Sequence, residues 1–176
     1  DVAVTGVQTC ALPISTEVVK ILEQINMPTF IFDFQNEQKY KPFKNLWHAN
    51  NLNFEAFLLN TAGKKKTCFV FEEASIFFKH TGKKKVLQEA LDRLLVGKRH
   101  DNNLIIFNFH SLRRMPLELL DFCDLMILGK TTDNVSHIES KFGEFVEIYE
   151  AFKAVHASTN QYIKKYIKLN TSIAEN

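Results

Sequence analysis

Three short apolar runs, "TFIFDF", "CFVFEE" and "LIIFNF", constrain this chain more than any other feature. In none of them do apolar and polar residues alternate, as they would in a strand with one face in water. Each is rich in aromatic or β-branched residues and too short for a buried helix, so each reads as a strand buried on both faces. A fourth run, "DLMIL", reads the same way. Between the runs lie segments with helical spacing. Residues 16–26 put Val18, Val19, Ile21, Leu22 and Ile25 on one face, and Asn26 followed by Met27-Pro28 stops that helix. Helices are also expected at 54–60, 73–80 and 86–98, the last with a stripe of Val86, Leu87, Ala90, Leu91, Leu94 and Leu95. "PLELLDFC" reads as a short helix begun by Pro116. Residues 35–53 read as polar and irregular.

The C-terminal part, 135–168, reads as helical. Ile138, Phe142, Phe145, Tyr149 and Phe152 recur at spacings of three and four, and a final helix over 160–168 sets Tyr162, Ile163, Tyr166 and Ile167 opposite Lys164, Lys165 and Lys168. Strands alternating with helices define an α/β domain with a mostly parallel sheet flanked by helices. A chain of 176 residues, 45% hydrophobic and 24% charged, supplies one such domain with a full core. Its three cysteines form no close pair and no metal-type spacing, which points to a reducing, cytoplasmic setting. No apolar stretch reaches the length of a membrane span. His48, His80, His100, His137 and His156 have no ligand-type spacing, so no metal beyond Mg²⁺ is expected.

Chemistry in a parallel sheet gathers at the carboxyl ends of the strands, where loops converge and helix N-termini point. The residues there are Asp33, Glu72-Glu73, His110-Ser111 and Lys130-Thr131. Two adjacent carboxylates at a strand tip can share the work of hydrolysis, one holding a hydrated Mg²⁺ while its neighbour orients and deprotonates a water. The same pair would also favour the N-terminus of the following helix through its dipole, so the motif alone leaves both readings open.

The order of landmarks is more specific. "RHDNNLIIFNFHSLRRMPLELLDFCDLMILGK" resembles P-loop ATPases of the FtsK/HerA superfamily, in which a buried strand ends in a polar sensor and leads through a basic turn, a proline and a short helix into an "aDlil" strand. "TFIFDFQNEQKY" is similar to that family's second strand, and the resemblance runs from residue 15 to about 130. It implies a RecA/ASCE-like fold that binds ATP and Mg²⁺, with Glu72 at the metal as part of a Walker B motif, Glu73 polarising water and His110 sensing the γ-phosphate. The family's sensor is commonly Gln, so His110 is a departure; Asn108 is set aside because its side chain should alternate into the sheet. An arginine finger would come from Arg113 (beside Arg114) or from Arg99.

A P-loop ATPase carries G-x-x-x-x-G-K-[ST] between its first strand and first helix, because backbone N–H groups must wrap the phosphates and the Lys must neutralise them. No such motif is present. The helix beginning "STEVVKILEQI" is what should follow Gly-Lys, which puts Ser15 or Thr16 where the Mg²⁺-binding hydroxyl belongs. What precedes it, "VTGVQTCALPI", resembles the conceptual translation of a short-read sequencing adapter. Residues 1–14 are therefore expected to be an artefactual leader and 15–176 an incomplete ATPase domain, with the first strand and phosphate loop missing or replaced.

Compactness makes the chain similar to phage genome-packaging ATPases or the zonular-occludens-toxin-like morphogenesis ATPases. This implies a homo-oligomeric ring that moves single- or double-stranded DNA. The alternatives are a cellular FtsK/HerA-type translocase, a non-catalytic binding module on the same fold, and another doubly wound enzyme. The net charge is +2, yet Lys64-Lys65-Lys66, Lys83-Lys84-Lys85 and Lys164-Lys165 are clustered; these are solvated loops or DNA contacts.

Overall fold

The non-alternating runs do form the middle of a sheet. The computed structural model describes residues 3–7, 14–33, 46–49, 54–61, 63–81 and 85–169. Its strands are Ala3–Val7 (β1), Thr29–Phe32 (β2), Leu46–Ala49 (β3), Cys68–Phe71 (β4), Leu104–Phe109 (β5), Leu125–Gly129 (β6) and Lys164–Lys168 (β7). They make one seven-stranded sheet in the order β3-β2-β4-β5-β1-β6-β7, parallel except for β7, which runs antiparallel to β6. The helices are Ile14–Gln24 (α1), Phe54–Thr61 (α2), Ala74–Thr81 (α3), Lys85–Gly97 (α4), Val135–Phe142 (α5) and Val146–Ala157 (α6).

Strand alternation assigns the two faces of the sheet to different cores. Phe32, Phe69, Phe71, Ile105, Phe107 and Phe109 point to one face, where residues of α2 to α6 close over them. Ile31, Cys68, Val70 and Ile106 point to the other and meet Val19 and Leu22 of α1. The first face is aromatic. Phe71 lies against Phe77 with ring centroids 4.4 Å apart and stacks on Phe107 at 4.9 Å. Rings at these separations gain about 0.5–1.5 kcal/mol per pair beyond the area they bury. At the amino ends of β4 and β5, the buried Asn103 accepts from the Thr67 N–H at 3.1 Å and donates to the Lys64 carbonyl at 2.7 Å, which ties the two strand starts together. With the starts of this central pair tied and its rings stacked, the residues at its carboxyl tips are set in register.

Several elements differ from expectation. The first strand's position is filled: Ala3–Val7, in which the adapter-like string begins, pairs with β5 on one side and β6 on the other. Residues 46–49, expected to be irregular, form the edge strand β3 beside β2; four residues centred on Trp47 and His48 are too few to show a pattern. The short helix expected in "PLELLDFC" is present behind Pro116 and is of the 3₁₀ type, Leu117–Phe122. The helical pattern after 134 is present as two helices, with a break between Phe142 and Val146.

The largest correction is at 160–168, where the spacing predicts a helix and the structure has β7. Tyr162/Tyr166 and Ile163/Ile167 mimic an i, i+4 stripe. A turn intervenes: the Asn160 side chain accepts the Tyr162 N–H at 2.9 Å, and the chain then extends with Ile167 alone buried. Local side-chain capture of the backbone by Asn is what competes with helix at such positions. No helix among the described residues is long and apolar enough to cross a membrane.

The aromatic layer supplies a stability test. Phe107→Ala should lower the urea-unfolding free energy by about 3–5 kcal/mol, as expected for a fully buried ring. Val96→Ala on the exposed side of α4 should shift it by less than about 0.5 kcal/mol. Similar losses from both would show that the layer is not packed as described.

Candidate active site

The alternation that divides the cores continues past the ends of the strands and turns polar. Ile31, Val70 and Ile106 line the face under α1; two residues further along the same face come Asp33, Glu72 and Asn108. All three are buried. Asn108 Nδ2 donates to Glu72 Oε2 at 2.7 Å, and the Glu72 N–H donates to the Phe32 carbonyl at 2.8 Å, extending the ladder by one rung. Burying a carboxylate is costly unless hydrogen bonds or a cation compensate it. Glu72 at 2% exposure therefore marks a position shaped for charge.

Glu73 follows in a different conformation. Its φ of 51° lies in the left-handed region that a non-glycine residue enters only under constraint. The turn starts α3, since the Glu73 carbonyl accepts the Ile76 N–H at 2.8 Å. It also aims the carboxylate away from Glu72 toward the tip of β5, where Glu73 Oε1 meets His110 Nε2. The Glu73 side chain is 12% exposed and that of His110 49%, so the acid sits inside and the imidazole at the rim.

The segment after His110 is clamped to the β6–α5 connection. Asp133 receives the Ser111 hydroxyl at 2.6 Å on Oδ1 and the Leu112 N–H at 2.7 Å on Oδ2. Lys141 Nζ donates to the carbonyls of Arg113 and Met115, both at 2.6 Å. Burial lowers the Lys141 ammonium from its ordinary range, with Glu118 and Asp133 opposing the shift. Leu112 and Met115 are buried, which leaves Arg113 and Arg114 projecting from a fixed turn into solvent. The Cys68 thiol is pushed up by burial and behaves as core.

Of the residues expected at the site, Glu72, Glu73 and His110 come together at the tips of β4 and β5, and Arg113 lies on the turn that follows. Arg99 does not join them: it lies before β5, and its Nη2 donates to Asp124 Oδ1 at 3.2 Å, beside the Lys98–Asp124 pair at 2.7 Å. Ser15 and Thr16 stand in the first turn of α1, the helix that covers the Glu72–Asn108 face. The residues in which the adapter-like string continues, 8–13, lie outside the described residues. Asn108, set aside on sequence grounds, is the partner of Glu72: alternation carries it onto the α1 face. Asp133 and Lys141 carry no motif and are visible only in three dimensions.

Solved structures share this arrangement of elements. The DNA-packaging ATPase B204 from Sulfolobus turreted icosahedral virus aligns with a TM-score of 0.71 at 16% identity, over 96% of this chain and 92% of that one. The chain has the fold of a viral packaging ATPase. The genome-packaging NTPase B204 from Sulfolobus turreted icosahedral virus 2 agrees, with a TM-score of 0.72 at 19% identity in complex with sulfate. In complex with ATP-gammaS it gives 0.70 at 17% identity. These two alignments cover 97% and 96% of this chain and 92% of the other. No protein-family model and no curated protein sequence matches the chain. In this sheet β1 lies between β5 and β6, and α1 is the element that follows it.

The left-handed turn is testable without any ligand. Glu73→Gly and Glu73→Ala both remove the contact with His110, but only glycine accepts the backbone freely. The Gly variant should be more stable than the Ala variant by roughly 1 kcal/mol in urea unfolding. Equal stabilities would mean that Glu73 is not held at positive φ in solution.

Proposed function

We propose that this sequence derives from the motor domain of an ATP-driven DNA translocase or genome-packaging machine, acting in the cytoplasm as a homo-oligomeric ring. The observation that carries the reading is the double pairing at two adjacent strand tips, Glu72 with Asn108 and Glu73 with His110, on a fold shared with packaging ATPases.

The carboxylate side of the site fits Mg²⁺. A hard cation that retains most of its waters needs one or two protein oxygens; Glu72 would supply one, and Ser15 or Thr16 is the residue expected to supply the other. The phosphate side of this chain does not fit ATP: Gly6 has no second glycine at loop spacing, and no lysine precedes Lys20. What we infer is that residues 4–14 are a translated adapter that replaced the original phosphate loop. Two observations support this, the missing motif and the position of the string, which runs from Val4 inside β1 to Ile14 at the start of α1 and so spans the place where the loop belongs. The chain as it stands is then expected to be inactive.

When bound, Mg²⁺·ATP supplies an electrophilic phosphoryl group with part of its charge neutralised. In a parent with its phosphate loop intact, Glu73 would be the residue to take the proton of the attacking water, and His110, half in solvent, would orient that carboxylate and face the γ-phosphate. Asn108, bonded to Oε2, would hold Glu72 in one rotamer and leave its other oxygen available to the metal. Arg113, on a turn held by Asp133 and Lys141, is preorganised to reach the site of a neighbouring subunit. Arg99, bound to Asp124 at the opposite edge, would need to leave that pair to act in trans, so Arg113 has the stronger support.

The spacing between β1 and α1 permits a direct test. Gln8→Gly, Pro13→Gly and Ile14→Lys together write G-x-x-x-x-G-K in front of Ser15. The triple variant should bind a fluorescent ATP analogue in a Mg²⁺-dependent way, at least tenfold more tightly than the parent. Adding Glu73→Gln should preserve that binding and lower any hydrolysis by about 10²-fold or more. Binding unchanged by the loop, or hydrolysis indifferent to Glu73, would refute the motor reading.

A further inference from the structure

The chemistry above makes no use of β7. From Ser158 to Leu169 the chain holds Lys164, Lys165 and Lys168, two tyrosines and no acidic residue, in a protein whose formal net charge is only +2. The strand is the outer edge of the sheet, with Lys164 opposite Gly129 and Lys168 opposite Leu125. Ile167 is buried in the main core and roots it there. Its neighbours point outward: Tyr166 is 67% exposed, and Tyr162 in the preceding turn is 72% exposed. Among the described residues none of the three lysines is paired with a carboxylate.

Lysines on a sheet edge are a familiar defence against pairing with another chain, and that accounts for the charge. It does not account for two large aromatic rings left in water beside it. Cations that follow a backbone and aromatic faces that accept unpaired bases are together the surface that single-stranded nucleic acid requires. The register adds direction: Lys164 lies beside the carboxyl end of β6, the same end of the sheet as Glu72 and Glu73. A strand bound along β7 would begin next to the moving parts of the site.

We propose that β7 and the turn before it bind single-stranded DNA, with Lys164, Lys165 and Lys168 on the phosphates and Tyr162 and Tyr166 stacked on bases. The inference rests on the motor reading for its partner, and on this chain's own charge and exposure for its location. The probe is a labelled oligothymidylate of about 20 nucleotides, read by fluorescence anisotropy on the chain as it stands over a range of salt concentrations.

Changing the three lysines together to Gln should weaken binding and reduce the slope of log K against log salt by about 2. Tyr162→Ala and Tyr166→Ala should each weaken binding by about tenfold with the slope unchanged, and Phe at either position should restore it. Unaltered urea unfolding would confirm that these exposed substitutions leave the fold intact. DNA bound equally well by parent and variants, or a preference for duplex over the single strand, overturns the β7 assignment and leaves the motor reading standing. Failure of the restored phosphate loop to bind nucleotide, with oligothymidylate binding still lost in the β7 variants, does the reverse.

Discussion

The ladder between β4 and β5 holds the candidate site together. It is covered by aromatic rings on one face and by α1 on the other, and Asn103 fixes its starting register. A buried parallel ladder cannot slip by one residue without turning every side chain to the wrong face. Phe71 stacked on Phe107 therefore also determines that Glu72 meets Asn108 at the next rung. The polar pairs are an extension of the apolar packing, and their geometry is inherited from it.

The charged groups divide between the two ends of the sheet. At the amino end, Lys98, Arg99 and Asp124 form a compensated cluster that brings the starts of β5 and β6 together. At the carboxyl end, Asp33 and Glu72 are buried near each other at adjacent strand tips, and Glu73 adopts a conformation that a relaxed chain avoids. Strain and buried charge concentrated at one end of a well-packed sheet are what preorganisation of a reactive site demands. The Asp133 and Lys141 bonds extend that rigidity to the turn bearing the arginines.

Much of this was legible in the residues. Four buried strands can be read because their apolar runs fail to alternate, and Glu72, Glu73 and His110 because they stand where those runs end. β7 is not legible: an edge strand buries a single residue, Ile167, and leaves no two-residue rhythm strong enough to displace an accidental helical one. Asn108 is misread for a related reason. A polar residue inside a run of buried positions looks structural until the partner on the next strand is known, and sequence spacing of 36 residues does not reveal that partner. The clamp by Asp133 depends on loop geometry alone.

The position of β1 has a bearing on how the chain is made. Ala3–Val7 lies between β5 and β6, so its hydrogen-bonding partners are Ile105 to Phe109 and Leu125 to Leu128. In any chain with this strand order, the strand at that place leaves the ribosome long before either neighbour exists. No shorter nascent product can complete the middle of the sheet, and the emerging halves carry bare edges until the last of these partners arrives. Closure of the sheet thus waits for Leu128, the last of these partners, and until then its open edges are available to stray pairing.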